Sequence, residues 1–306
     1  MQQQKTVFVI AGPTAVGKTA IAIALAKRLN TSIVSADSRQ CYIGMPIGTA
    51  QPSAGELAAV RHYFINEFPV TEHITAARYE QLALGYLEEI FTDNDCAVVC
   101  GGTGLYIKAL CEGLDDMPDV SDEIVQAVTA EYNAKGIEWL KQAVQEADPA
   151  FYASGEIQNP SRLQRALSFV RATGESILKY RTQSKKERPF NIIKVALELP
   201  REQLYDRVNQ RVDAMIAEGL EAEVRALFPL RHLKNLQTVG YSEILGCLNG
   251  EYSLDTAIGK IKQHTRNYAK RQLTWFRRDP EFVWLRADDG EVVNKILALR
   301  SNSPAL

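Results

Sequence analysis

Histidine and cysteine are few and scattered in this chain of 306 residues, and their scarcity excludes several kinds of chemistry. The four histidines, His62, His73, His232 and His264, form neither an HExxH motif nor a close cluster with cysteine, so a protein-built transition-metal centre is not expected. The five cysteines, Cys41, Cys96, Cys100, Cys111 and Cys247, are odd in number and include no CxxC pair. That argues against a disulfide framework and a zinc ribbon and suits a reducing cytoplasm. Long apolar runs are missing too: none approaches the roughly 20 residues that cross a bilayer. The opening MQQQKTVFVI has no basic segment, apolar stretch and cleavage site in series, so export is not expected. Nor is there an excess of either charge: 35 Lys and Arg against 37 Asp and Glu leave a net charge of −2. Only local clustering of charge bears on a polyanionic partner.

What the chain does contain is a regular alternation of apolar segments. Thr6 to Ala11, TVFVIA, is β-branched and apolar; GPTAVGKT interrupts it, and AIAIALAKRL follows with good helix formers. A second strand is expected at Ser32 to Ala36, a helix at Ala76 to Phe91, and a buried strand at Cys96 to Cys100 leading into GGTG. Further strands are expected at Ile192 to Leu197 and Phe282 to Leu285, with helices from Arg201 toward Phe228 and from Leu254 to Phe276. Strands alternating with helices predict an α/β fold with a parallel sheet flanked by helices. The stretch between the third and fourth strands is too long for one crossover. It carries its own helical patterns at Asp122 to Lys135, at Trp139 to Glu146 and after Asn159-Pro160, where Asn suits the cap and Pro the first turn. Residues 115–188 therefore read as an inserted helical subdomain, with 1–114 and 189–306 forming the core. The insertion leaves through the polar, basic KYRTQSKKERP.

The chemistry starts at Gly12, Pro13, Thr14, Ala15, Val16, Gly17, Lys18 and Thr19, which match GxxxxGK[ST] at every fixed position and stand between a strand and a helix. Glycines let successive backbone N–H groups turn onto phosphate oxygens, and the helix amino end adds its positive dipole. Lys18 neutralises charge, and the Thr19 hydroxyl can join a Mg²⁺ shell. A P-loop NTPase-like core holding a di- or triphosphate follows. CAVVC carries no carboxylate where a nucleotide hydrolase usually has one, which weakens an ATPase reading. The available acid is Asp37, at the end of the second strand and on the same edge of the sheet.

Beyond the loop, the ordered set GPTAVGKT, SADSRQCYIGMPIGTAQP, GGTGLY and HTRNYAKRQLTWFRR resembles the bacterial tRNA dimethylallyltransferases over nearly the whole chain. The resemblance implies transfer of a dimethylallyl group from dimethylallyl diphosphate to the exocyclic amine of adenosine 37, in tRNAs that read codons beginning with U. Diphosphate leaves. Asp37 would take the amine proton, and Lys18, Thr19 and Arg211 would stabilise the leaving group, with Mg²⁺ held at Thr19. The family positions for RNA contact fall on Asp37, Ser38, Arg39 and Gln40, on Thr103, on Ser161, Arg162, Leu163, Gln164 and Arg165, and on Leu236, Gln237, Thr238, Val239, Gly240 and Tyr241. For Thr103, neighbouring glycines would admit a nucleotide closely.

The last long helix adds an argument that is independent of the resemblance. Between Thr256 and Arg278 there are seven basic residues and no acids. Leu254, Ile258, Ile261, Thr265, Tyr268 and Trp275 repeat at three- or four-residue steps or their sum as a core-facing stripe, while Lys262, Arg266, Lys270 and Arg277 lie on another side as a phosphate-backbone footprint. Three other readings stay open on the residues alone: prenyl transfer to free AMP, ADP or ATP, a small-molecule kinase, and a noncatalytic RNA-binding module. A monomer is expected.

Overall fold

The computed structural model describes residues 4–182 and 184–301. The first three residues of the amino-terminal stretch and Gln183 in the basic exit of the insertion lie outside the described residues. Along the chain run β1 (Thr6–Ala11), α1 (Lys18–Leu29), β2 (Ile33–Ser35), α2 (Ala54–Ala59), β3 (His62–Tyr63), α3 (Ala76–Asp93), β4 (Cys96–Gly101) and α4 (Gly104–Glu112). The insertion supplies α5 (Asp122–Ala147), α6 (Pro149–Ala153) and α7 (Pro160–Thr173). The core then resumes with β5 (Asn191–Glu198), α8 (Arg201–Ala217), α9 (Leu220–Ala226), α10 (Tyr241–Leu248), α11 (Leu254–Phe276), β6 (Val283–Arg286) and α12 (Val292–Ser301).

Among the described residues the strands form one parallel sheet in the order β3-β2-β4-β1-β5-β6. β1 lies between β4 and β5 and is buried on both faces: Val7, Val9 and Ala11 enter one apolar cluster, Phe8 and Ile10 the other. A doubly buried strand reads as a continuous apolar run, which is the form TVFVIA takes. The register sets Ala11 beside Gly101 and Ala196, and Ser35 beside Cys100. β1, β2 and β4 therefore finish at one edge, and the loops that leave them share it. One expectation needs correction. The helix from Arg201 stops at Ala217 because Gly219 is left-handed, with φ of 100°, and α9 starts afresh. The short β3 and α12 carry too little periodic signal to be read from sequence.

The chain divides into two compact units, Met1–Cys111 with Glu187–Leu306, and Glu112–Lys186. The second has its own core of Val128, Leu140, Val144, Phe151, Leu163, Leu167, Phe169 and Ile177. Gly136, with φ of 79°, breaks the α5 rod between the two helices expected there. Asn159 caps α7 by accepting the Ser161 and Arg162 N–H groups, and Pro160 occupies the first turn. Among the described residues no helix is long and apolar enough to cross a membrane.

Candidate active site

The loop after β1 needs glycine twice, for different reasons. A Cβ on Gly12 would lie 2.7 Å from the Leu197 carbonyl oxygen of β5, and Gly17, with φ of 106°, turns the chain into α1. Ala15 is also left-handed at φ of 62°, which costs an L-residue roughly 1–2 kcal/mol. Left-handed residues in such a loop gather successive N–H groups into an anion-binding concavity, and the α1 dipole reinforces it. Lys18 donates from Nζ to the Pro13 carbonyl at 2.8 Å and so lies folded into the loop. Burial pushes its pKa down to about 8; Cys100 and Asp37 oppose that shift and Arg211 adds to it.

Asp37 sits on the neighbouring loop, just past β2. Its Oδ1 accepts the N–H groups of Arg39 at 2.9 Å and Gln40 at 3.3 Å, a local turn that fixes the carboxylate. Its Oδ2 accepts no hydrogen bond among the described residues. Thr103, in the turn between β4 and α4, accepts the Ser38 N–H at 3.0 Å and donates to the Ser38 hydroxyl. Both loops, with α8, α11 and residues 238–240, line a cavity of about 440 Å³. The phosphate loop, Asp37, Arg207 and Arg211 meet there, and Val212, Met215, Val239 and Ile261 supply apolar wall. Arg207 donates to the Val16 carbonyl at 3.3 Å. Burial lowers the pKa of Arg211, with Asp37 and Glu218 opposing, while Asp213 is taken by Lys262 at 2.6 Å.

The remaining wall comes from α11, where Leu254, Ile258 and Ile261 of the expected stripe pack on the core and its other members need correction. Ala257, Ile261, Ala269, Gln272 and Phe276 are its buried residues. Thr265 and Tyr268 face the cavity, and Trp275 is 39% exposed. Burial raises the Tyr268 hydroxyl pKa, and the Asp37 carboxylate adds to the rise. The glycines of GGTG also need a different explanation from room for a nucleotide. A Cβ on Gly101 would lie 2.2 Å from the Ala36 carbonyl oxygen, one on Gly102 2.1 Å from Gln272 Nε2, and one on Gly104 2.1 Å from the Trp275 ring. All three admit protein atoms. The Gly101 contact is with backbone and cannot be relieved by turning a side chain. Gly101→Ala is thus expected to destabilise the fold by about 3 kcal/mol, the upper end for overpacking, read as a fall in thermal midpoint.

The other residues singled out from sequence divide into exposed and buried sets. Thr238, Val239 and Gly240 line the cavity. Leu163, Leu236 and Tyr241 are each at most 1% exposed, so these side chains are packing groups. The Tyr241 hydroxyl donates to Glu223, whose carboxylate also accepts the Ile47 and Gly48 N–H groups. Gln40 spends its amide donors on the Thr49 and Ala50 carbonyls, and Gln237 donates to Arg231. In the insertion, Arg162 pairs with Glu156 at 2.6 Å, Gln164 accepts from Thr129, and Arg165 donates to Met117 sulfur. On α11, Lys262, Arg266 and Arg277 are engaged by Asp213, Asn209 and Glu198. Lys270, Arg271, Trp275 and Arg278 instead line a shallow surface hollow.

An anion cradle, a fixed carboxylate and two arginines, Arg207 exposed and Arg211 half-buried, around one cavity define a P-loop α/β protein suited to group transfer from a phosphorylated donor. The IPP transferase family model matches residues 40–279, and the chain belongs to that family. It is 44% identical over 283 residues to tRNA dimethylallyltransferase 1 of Phocaeicola vulgatus, covering 92% of this chain and 94% of the relative. It is likewise 44% identical over 280 residues to tRNA dimethylallyltransferase of Cytophaga hutchinsonii, covering 92% of each. The crystal structure of tRNA isopentenylpyrophosphate transferase from Bacillus halodurans superposes with a TM-score of 0.71 at 34% identity, over 98% of this chain and 95% of that one.

Proposed function

We propose that this protein transfers a dimethylallyl group from dimethylallyl diphosphate to the exocyclic amine of adenosine 37 of tRNA, releasing diphosphate. The observation that carries the reading is the meeting of the phosphate loop and Asp37 on one cavity. With the diphosphate in the loop, the allylic carbon projects toward the apolar wall of Val212, Met215 and Ile261. The adenine amine enters from the Asp37 side and attacks that carbon as its bond to oxygen breaks. Oδ1 of Asp37 is held by two backbone N–H groups, which leaves Oδ2 to accept the proton the amine must lose. The departing diphosphate gains charge, and Lys18, Arg207, Arg211 and the loop N–H groups on the cavity stabilise it.

Mg²⁺ suits the donors present. The Thr19 hydroxyl at the start of α1, on the cavity wall, would be the protein oxygen that holds it. When bound, it would neutralise part of the leaving-group charge.

An adenine stacked in an anticodon loop has to swing out to reach Asp37, at a cost of a few kcal/mol. Ser38, Arg39, Thr103, Thr238 and the exposed residues of 161–165 supply contacts that offset it. Trp275 with Lys270, Arg271 and Arg278 adds a stacking face among phosphate-binding cations. The site works within a monomer in the cytoplasm, on tRNAs reading codons that begin with U.

The acceptor is tested by mass spectrometry after incubation with dimethylallyl diphosphate and Mg²⁺ of an unmodified anticodon stem-loop, AMP, ADP and ATP in separate reactions. A dimethylallyl gain on the stem-loop is expected; gain confined to free nucleotides would contradict the RNA assignment.

A further inference from the structure

Gln272 is a polar residue on the apolar face of α11, between Ala269 and Phe276, and is 6% exposed. A buried amide has to satisfy both of its ends, and here each end meets a different loop. Oε1 accepts the Thr14 N–H at 2.9 Å, inside the phosphate loop, and Nε2 donates to the Gly102 carbonyl at 2.9 Å. Gly102 precedes Thr103, whose hydroxyl accepts the Ser38 N–H beside Asp37, and whose own N–H donates to the Ala36 carbonyl at 3.1 Å. One side chain thus joins the backbone that cradles the leaving group to the backbone that aims the base. Space for it exists because residue 102 has no Cβ.

We propose that Gln272 is a positioning residue. It fixes the phosphate loop and the Asp37–Thr103 loops in one register, so that filling the first with diphosphate orders the second. Its effect on rate rests on the prenyl-transfer reading above; its effect on coupling rests on this geometry alone. Met has nearly the same length as Gln but neither donates to Gly102 nor accepts strongly from Thr14, so Gln272→Met cuts the link while filling the space.

The test uses the full chain and two readouts. Hydrogen exchange at the Ser38 and Thr103 amides is followed with and without inorganic pyrophosphate and Mg²⁺. Pyrophosphate is expected to slow this exchange about fivefold in the wild type and less than about twofold in Gln272→Met. Single-turnover prenyl transfer to an anticodon stem-loop, at saturation, is expected to fall at least about tenfold, while separate Kd values for pyrophosphate and stem-loop move less than about threefold. Protection retained in Gln272→Met, no protection in the wild type, or a near-normal rate at saturation would overturn the proposal.

Should Gln272→Met not fold, Gln272→Glu decides. Its ionised carboxylate still accepts from Thr14 but has nothing to donate to Gly102. Rate relative to wild type is expected to be low at pH 8 and to recover toward pH 6, as the buried carboxyl takes up a proton. A wild-type rate at pH 8 would sink the idea. A wild type that shows pyrophosphate protection yet prenylates nothing would remove the functional reading and leave the coupling intact.

Discussion

Asp37→Asn is expected to lower single-turnover prenyl transfer by about two to four orders of magnitude, the scale of general acid–base catalysis. Binding of pyrophosphate and of stem-loop should change little. The substitution keeps the size of the side chain, and an amide oxygen can still accept the Arg39 and Gln40 N–H groups that hold Oδ1. What it removes is the anionic oxygen that accepts the amine proton. Rate and affinity therefore separate, whereas a residue that merely held the loop would lose both together. Rapid-quench kinetics on the stem-loop, beside calorimetric titration of each ligand, measures the separation. A rate within a few fold of wild type would remove Asp37 from the reaction.

Lys18→Ala is expected to act in opposite directions on ligand binding and on stability. Lys18 is half-buried, and desolvation pushes its pKa down to about 8. A bound diphosphate supplies the opposite charge that this ammonium lacks, so its loss should weaken pyrophosphate binding by at least about 30-fold, or about 2 kcal/mol. In the wild type that affinity should hold below pH 7 and decline as pH rises through 8, relative to Lys18→Ala at each pH. For the ligand-free protein the sign reverses. The folded pKa lies below the unfolded value near 10.5, so between pH 8 and 10.5 the unfolded chain binds more protons and stability rises with pH. Below pH 8 the penalty remains in full, at most roughly 3.4 kcal/mol and reduced by solvent screening of a half-buried group, and is offset in part by about 1 kcal/mol for the Lys18 to Pro13 hydrogen bond. The empty Lys18→Ala protein should accordingly melt a few degrees higher than wild type at pH 7 in a thermal scan. Tight pyrophosphate binding or a lower midpoint would contradict this assignment.

What could be read in the sequence follows the range of each interaction. The phosphate loop is local: a strand, a fixed glycine spacing and a helix within 24 residues of each other, β1 to α1. Asp37 was accessible for a related reason, since a carboxylate at a strand's end in a parallel sheet points to the edge where ligands bind. Gln272 was not, because helical periodicity treats a glutamine among Ala269 and Phe276 as an interruption, and its partners Thr14 and Gly102 are 258 and 170 residues away. The same distance hid the reason for GGTG: glycine signals that something comes close, and only the fold says that Ala36, Gln272 and Trp275 do. Tyr241 differs in the opposite sense: the resemblance places it in a stretch for RNA contact, but its side chain is enclosed by Glu223 and the core. Gly219 ends α8 where a continuing polar and apolar pattern hides the break.

In the proposed reaction one cavity holds a prenyl diphosphate in the phosphate loop and an RNA adenine beside Asp37, its amine facing the allylic carbon. Tandem mass spectrometry of a stem-loop treated in parallel with wild type and Asp37→Asn, in the presence of dimethylallyl diphosphate and Mg²⁺, tests it most directly. The account predicts one dimethylallyl group on the exocyclic amine of the adenosine just 3′ of the anticodon, formed rapidly by the wild type and nearly absent with the variant. Modification at another nucleotide, or equal product from both proteins, would contradict it.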